Sequence, residues 1–308
     1  MPKFTVSALI GGFCMLACTD PLTRNNEQVR TRPPEILKWV RPDADIIEVL
    51  TSEPTECLSN SVQGEQSQNI ILGRAAFRSP YLLGGQAARQ GLSCNACHTN
   101  GRRNEHFYIE GLSNNPGTAD VTNFHFSAVL GDEKFNPKSI PSLVKSAKPK
   151  TAETKLAQEK FILRLVEKEF EGAAPSQIVK DALINYVRSL GGKTCLQTQF
   201  VGKDVLDFRI KIISQELTAL HTLSPEDTQT VGFLRLAIRA ELGRLYHRFP
   251  VSENVNAKLV QLSGMLKPKF SVDSGVINAE WREIRTQMVK EYDRSLFSKS
   301  FATKWYKN

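Results

Sequence analysis

Methionine is scarce in this chain: there are four in 308 residues, and none lies between His98 and Met265. Histidine is nearly as rare, with five. A metal site in the middle of the chain therefore has few imidazoles to draw on and no thioether nearby. No apolar run reaches the roughly 20 residues that a membrane-spanning helix needs; the longest, from Phe4 to Ala17, is shorter and sits at the N-terminus. Lys and Arg number 40 against 32 Asp and Glu, but the two signs are interleaved and no basic block or nucleic-acid motif occurs. A net charge of +8 could favour an acidic partner or a membrane surface, whereas nucleic acid is excluded as a partner. No cysteine follows Cys195, so the last third of the chain cannot anchor anything through thiols. What is plentiful is apolar side chain, 41% of the residues, enough for a substantial core.

The first residues, Met1-Pro2-Lys3 followed by the apolar stretch and then a small residue before Cys18, have the layout of a signal peptide over 1–18. Met15-Leu16-Ala17-Cys18 resembles a bacterial lipobox, with Met15 where Leu is usual. The resemblance implies lipidation of Cys18, a lipoprotein anchored to a membrane, and, since Thr19 rather than Asp follows, the periplasmic side of the outer membrane. An ordinary cleaved signal and a retained anchor or structural segment are the alternatives. Export fits the cysteine arithmetic. Cys14 belongs to the apolar stretch, and once the two thiols of the motif below are set aside, Cys57 and Cys195 remain. In an oxidising compartment these two are expected to form a disulfide, the alternative being two unrelated thiols.

Composition divides the rest. Residues 19–65, rich in Pro, Asn, Glu, Ser and Thr, read as a tether or extended arm. Residues 66–196 form the next unit, opening with a helical pattern over 66–77 in which Ile70, Ile71, Arg74 and Phe77 recur around Gly73. Residues 99–150 are dense in Gly, Asn, Pro and Ser and predict long irregular loops wrapped around something that supplies a core. Helices are predicted over about 152–171 and 176–190, with Gly191 as the stop. Residues 197–308 read as an all-helical unit. Ser224-Pro225-Glu226-Asp227 marks a helix start with Ser as cap, and Trp281, Ile284, Met288, Tyr292 and Leu296 make one apolar stripe.

The chemistry is carried by Cys94-Asn95-Ala96-Cys97-His98. Two thiols three residues apart can add to the two vinyl groups of one haem, and the following histidine can turn its imidazole onto the iron. Cys94 and Cys97 are thus expected to hold one covalent haem c, with His98 as proximal ligand. A zinc half-site would need further Cys or His at suitable spacing, and a redox dithiol would want a βαβ context; neither is visible.

Leu72-Gly73-Arg74, Phe77, Ser79-Pro80, Gly91-Leu92-Ser93 before the motif, Asn136-Pro137, Ile140-Pro141-Ser142-Leu143 and the run from Ala182 to Leu190 together resemble a haem domain of the bacterial di-haem cytochrome c peroxidase group, over about residues 68–192. The resemblance implies a mainly α, cytochrome c-like domain in which a first helix packs on a last one through Gly73, Phe77 and Tyr186. It departs from the group in having a single attachment site, where those enzymes relay electrons between two haems.

The sixth iron ligand decides the function, because an electron carrier fills both axial positions and a peroxidase leaves one open. His125, between Phe124 and Phe126, is the candidate; a core or surface histidine is the plain alternative. His106 reads as a loop residue, His221 and His247 as helix-surface residues, and Met265 and Met288 as core. Arg74, Arg102 and Arg103 are candidates for haem propionates, or else solvated charges. The expectation is an exported monohaem cytochrome c serving electron transfer to a redox partner protein. A peroxidase-like enzyme acting on hydrogen peroxide, or a haem subunit of a larger redox complex, stands as the alternative.

Overall fold

The computed structural model describes residues 34–59, 65–127, 129, 131–145, 149–191, 199–267 and 273–307, with no account of the side chains of 65–67. The expected signal peptide, Cys14 and Cys18 lie outside the described residues. The polypeptide is mainly helical, 60% helix against 5% strand. Arg32–Asn308 cluster as one unit.

Residues 34–59, within the stretch expected as tether or arm, hold a 3₁₀ turn at Glu35–Trp39, helix α1 (Ile46–Thr51) and strand β1 (Ser52–Pro54). Asp45 caps α1, its carboxylate accepting from the backbone N–H groups of Ile47 and Glu48. Helix α2 (Glu65–Arg78) leads through a short turn to α3 (Gly85–Gln90) and the single-turn helix α4 (Cys94–Cys97). The following loops are as irregular as their composition predicts: among the described residues of 99–150 the regular pieces are a 3₁₀ turn at Thr99–Gly101 and two two-residue strands, β2 (Thr118–Ala119) and β3 (Lys138–Ser139), paired antiparallel. Helix α5 (Ala152–Arg164) ends in a π turn over Leu165–Glu169, and α6 (Gln177–Ser189) stops before Gly191, whose φ of +92° suits glycine. Strand β4 (Gln199–Val201) then precedes α7 (Lys203–Thr222), α8 (Thr228–Tyr246), α9 (Glu253–Met265), α10 (Ser274–Lys290) and α11 (Lys299–Lys307).

Two details depart from the sequence reading. The segment from 197 is not purely helical: β4 pairs antiparallel with β1, Glu53 opposite Phe200, a partner too distant in sequence for local pattern to reveal. The cap of α8 is Asp227 rather than Ser224. The Asp227 carboxylate accepts from the Thr230 N–H at 3.0 Å, while Ser224 closes the turn before it by accepting from the Asp227 N–H at 3.1 Å.

The main core is built where α2 meets α6. A Cβ added at Gly73 would come within 2.0 Å of the Ala182 carbonyl oxygen, so only glycine allows this approach, and beside it the rings of Phe77 and Tyr186 lie 5.3 Å apart. The same apolar cluster continues into α7, α8, α9 and α10 through residues such as Leu206, Leu234, Leu259 and Trp281. Met288 is fully buried in it, and the half-buried Met265 packs against it. The apolar stripe read along α10 outlasts the helix: Trp281, Ile284 and Met288 lie on it, Tyr292 falls in a 3₁₀ turn and Leu296 is buried beyond. A second, smaller cluster of Trp39, Leu83, Ala87, Leu92, Phe107, Leu112, Ala119, Phe126 and Ile140 gives the loops their own centre. Among the described residues no helix is long and apolar enough to cross a membrane.

Candidate functional site

Helix α4 is one turn of backbone closed by the His98 N–H donating to the Cys94 carbonyl at 2.8 Å. The chain then reverses through Asn100 and Gly101, both at positive φ, with the Asn95 side chain accepting from the Asn100 N–H at 2.9 Å. The Gly101 carbonyl accepts from Leu143 and Val144, which docks the 140–144 loop against the motif. As a result the Pro141 carbonyl oxygen lies 3.0 Å from His98 Nδ1. A carbonyl only accepts, so Nδ1 carries the proton and Nε2 keeps its lone pair. The His98 ring retains some solvent exposure, yet burial pushes its pKa down to about 4, with the Pro141 bond opposing, so it is neutral at pH 7. Cys94 and Cys97 are free thiols, both pushed up to about 12 by burial. Cys94 packs against the main core and Cys97 against the loop cluster.

This donor set fits a covalently held haem: two free thiols in the spacing of the vinyl groups, a neutral imidazole with Nε2 available and its tautomer fixed by a backbone carbonyl, and an apolar wall beside them. The wall is aromatic. Trp39 stacks on Phe107 with centroids 6.5 Å apart, and Phe126 meets Phe170 edge to face at 6.1 Å.

His125 stands next to that wall. Phe126 is buried at 2% exposure and Phe124 is open at 49%, so the segment turns one ring inward and one outward. The His125 ring meets Phe126 edge on at 5.4 Å; its Nδ1 is 3.4 Å from the Gln90 side-chain amide, and its Nε2 is buried without a hydrogen-bond partner. Burial lowers its pKa. His106 sits half-buried in the loop whose backbone Asn104 organises.

Of the three arginines, Arg74 is taken: its guanidinium grips Glu56 at 2.8 and 2.7 Å and reaches Gln215 at 2.9 Å, while Glu56 also accepts from the Tyr186 hydroxyl at 2.7 Å. It is neither a solvated charge nor free for a propionate. Arg102 donates to the Thr55 carbonyl at 3.0 Å, and Arg103 pairs with Glu105 at 3.0 Å and donates to Ser139. Cys57 is disulfide-bonded. Its carbonyl accepts from Gly191 and the Ser59 N–H donates to Ser189, so this segment runs along the end of α6; Cys195, its expected partner, lies outside the described residues.

Sequence reasoning missed what holds the other face of the motif. Arg78, 1% exposed, donates to Asn100 at 2.8 Å and to Asn95 at 3.4 Å, and its Nε donates to Glu241 at 2.8 Å. Glu241 also accepts from Arg244 at 2.8 Å and from Arg209 at 3.3 Å. Arg209 in turn binds Glu53 at 2.5 Å, and Glu53 accepts from Asn100 at 3.0 Å. Burial opposes ionisation of Glu241, but Arg78 and Arg244 hold its carboxyl below the usual range. The motif turn is therefore bolted into a buried ion network drawn from α2, α7, α8 and β1. Isolated Arg and Glu residues carry no signal of such a partnership.

Among the described residues no group of three or more His, Cys, Asp or Glu side chains is placed to hold a metal ion by itself. The two thiols thus have no further protein ligands there to complete a zinc site. Comparison with family models, with curated proteins and with solved structures found no match to this chain.

Proposed function

We propose that this chain is an exported monohaem c-type cytochrome that passes single electrons between redox partner proteins. Cys94 and Cys97 would hold the haem through thioether bonds, and His98 would bind its iron through Nε2. When bound, the haem supplies reversible one-electron exchange. The chain's own residues do the rest. The Pro141 carbonyl keeps the His98 proton on Nδ1 and fixes the ring's orientation, and the aromatic loop cluster excludes water beside the thiols. His125, with a buried and unpartnered Nε2 next to Phe126, is the residue we assign to the sixth position. The cytochrome c-like character of the domain and the export through a leader ending at Cys18, with an outer-membrane lipid anchor, belong to the same proposal. The observation that carries it is the His98 to Pro141 hydrogen bond beside two free, half-buried thiols at motif spacing.

The test is an absorption spectrum of the chain matured with a working haem-attachment system, ferric and ferrous, with and without hydrogen peroxide and carbon monoxide. A low-spin spectrum unmoved by both reagents is expected, with His125→Ala opening the site to carbon monoxide. A high-spin ferric form that reacts rapidly with peroxide would replace the carrier by a peroxidase-type enzyme. Absence of any covalent haem would overturn the assignment itself.

A further inference from the structure

Beside α4, a cavity of about 90 Å³ lies between the 3₁₀ turn at Glu35–Trp39 and the helices α7 and α8. Its walls include Glu35, Ser93, Asn95, Arg209, Arg244 and Arg248, and none of Cys94, Cys97 or His98. We propose that this cavity binds one small planar monoanion of the carboxylate type, of the size of formate, acetate or bicarbonate.

The case rests on the hydrogen-bond ledger of its surroundings. Most of the carboxylate oxygens that line it are engaged, one oxygen of Glu35 being the exception. Both oxygens of Glu241 receive arginine N–H groups, Glu53 receives Asn100 on one oxygen and Arg209 on the other, and Glu35 receives Arg244 at 3.2 Å. The donors are not all engaged. Arg248, 9% exposed, has a buried Nε with no partner, although its Nη2 reaches the Leu50 carbonyl and its guanidinium lies 4.4 Å from the Phe297 ring centre. Arg78, behind the cavity, likewise has an unpartnered Nη2. A buried cationic donor without an acceptor is costly, and the natural remedy is an anion that accepts.

Charge points the same way. The guanidinium groups of Arg78, Arg209, Arg244 and Arg248 face the carboxylates of Glu35, Glu53 and Glu241, which leaves one positive charge over. Glu216, close to Arg78 and Arg244, does not cancel it, because burial raises its carboxyl to about 8 and keeps it mostly protonated at neutral pH. Burial also lowers Arg248 to about 10, the mark of a cation short of compensation. A guanidinium presents its N–H groups in a plane that matches a carboxylate, and the Ser93 and Asn95 side chains add polar wall.

The test uses the full chain as it is produced, exchanged into a bulky sulfonate buffer at constant ionic strength, titrated with formate, acetate and bicarbonate by calorimetry. Saturable binding of at least one of them at one site per chain is expected, with a thermal midpoint that climbs with the logarithm of its concentration. Arg248→Gln is expected to weaken that binding at least tenfold, and Arg248→Lys, which lacks an N–H at the Nε position, to weaken it too. No saturable binding to the unmutated chain, or binding undiminished in these variants, would overturn the proposal. If Arg248→Gln does not fold, Arg248→Lys and the unmutated titration decide. Cys94, Cys97 and His98 do not line the cavity, so a failure to bind the anion would leave the haem assignment standing, and a failure to attach haem would leave the titration to be read on its own.

Discussion

On one side of α4, Cys97 packs against the apolar loop cluster that holds Trp39, Leu92, Phe107 and Phe126; on the other, Asn95 and Asn100 are tied to the network of Arg78, Glu241, Arg209 and Glu53. The first is an apolar cluster assembled from loops, the second an ionic cluster assembled from helices. Apolar contact is non-directional, so a wall of this kind can close around a large flat group without demanding one geometry. Charge-assisted hydrogen bonds are directional and leave an uncompensated buried charge when one member is lost. The difference teaches a division of labour: the ionic side sets where the motif turn sits, and the apolar side supplies the environment.

The largest effect should come from breaking the ionic side. Glu241→Leu strips three arginines of a shared acceptor and is expected to cost about 3–5 kcal/mol in urea unfolding. Adding Arg78→Met should recover part of that loss, since it removes one of the stranded charges. A loss below about 1 kcal/mol, the level of a surface ion pair, would mean the network does not hold the motif. Next comes Glu216, whose carboxyl is raised to about 8, first by burial and then by the nearby Glu241, with no hydrogen-bond partner on either oxygen. The folded chain keeps a proton there that the unfolded chain releases above its ordinary 4.5. Stability from this group is therefore complete below pH 4.5 and is lost as pH rises toward 8, at up to about 1.4 kcal/mol per pH unit. Glu216→Gln should flatten that slope and leave the variant the more stable protein at pH 8; an unchanged slope would place the titration elsewhere.

Gly73→Ala tests the scaffold common to both faces. Its Cβ would fall 2.0 Å from the Ala182 carbonyl oxygen and 2.7 Å from the Tyr186 Cβ, so α2 and α6 must move apart, at about 1–3 kcal/mol. An equal loss at Gly111, where a Cβ meets nothing within 4 Å and only the φ of +78° is strained, would show that the close approach is not what matters.

How much of this was legible follows from how local each signal is. The 3.6-residue period of α2 and α6 and the Gly191 stop are local, and they read correctly as elements. The close approach at Gly73 was expected from the family resemblance, in which a first helix packs on a last one through a glycine and an aromatic, and the structure has it. The cap of α8 slipped by three residues because Ser224 and Asp227 are both good caps, and the choice depends on which backbone N–H groups the chain leaves exposed. The pairing of β1 with β4 and the Glu53–Arg209–Glu241–Arg78 network join residues far apart in sequence, where one Arg or Glu looks like any solvated charge. Pro141 is the sharpest case: its function is a backbone carbonyl, identical at every position, and only the docked 140–144 loop gives it meaning.

The smallest effect should lie farthest from the motif and serve as its control. In the helical core, the indole N–H of Trp281 on α10 donates to the Ser214 hydroxyl on α7 at 2.8 Å, and Ser214 donates onward to the Ile210 carbonyl at 2.7 Å. Ser214→Ala leaves the indole N–H without its acceptor in a residue only 3% exposed, at a cost of about 1 kcal/mol. Trp281→Phe removes the donor instead, so a double-mutant cycle of the two isolates the bond from the change in packing. The urea midpoint should shift in each single variant with a coupling between them, while the spectrum of the proposed haem and its response to carbon monoxide stay as in the parent. A spectral change in Ser214→Ala would mean that the helical core reaches the motif by a route other than the ionic network, and the separation between the two faces of α4 would have to be redrawn.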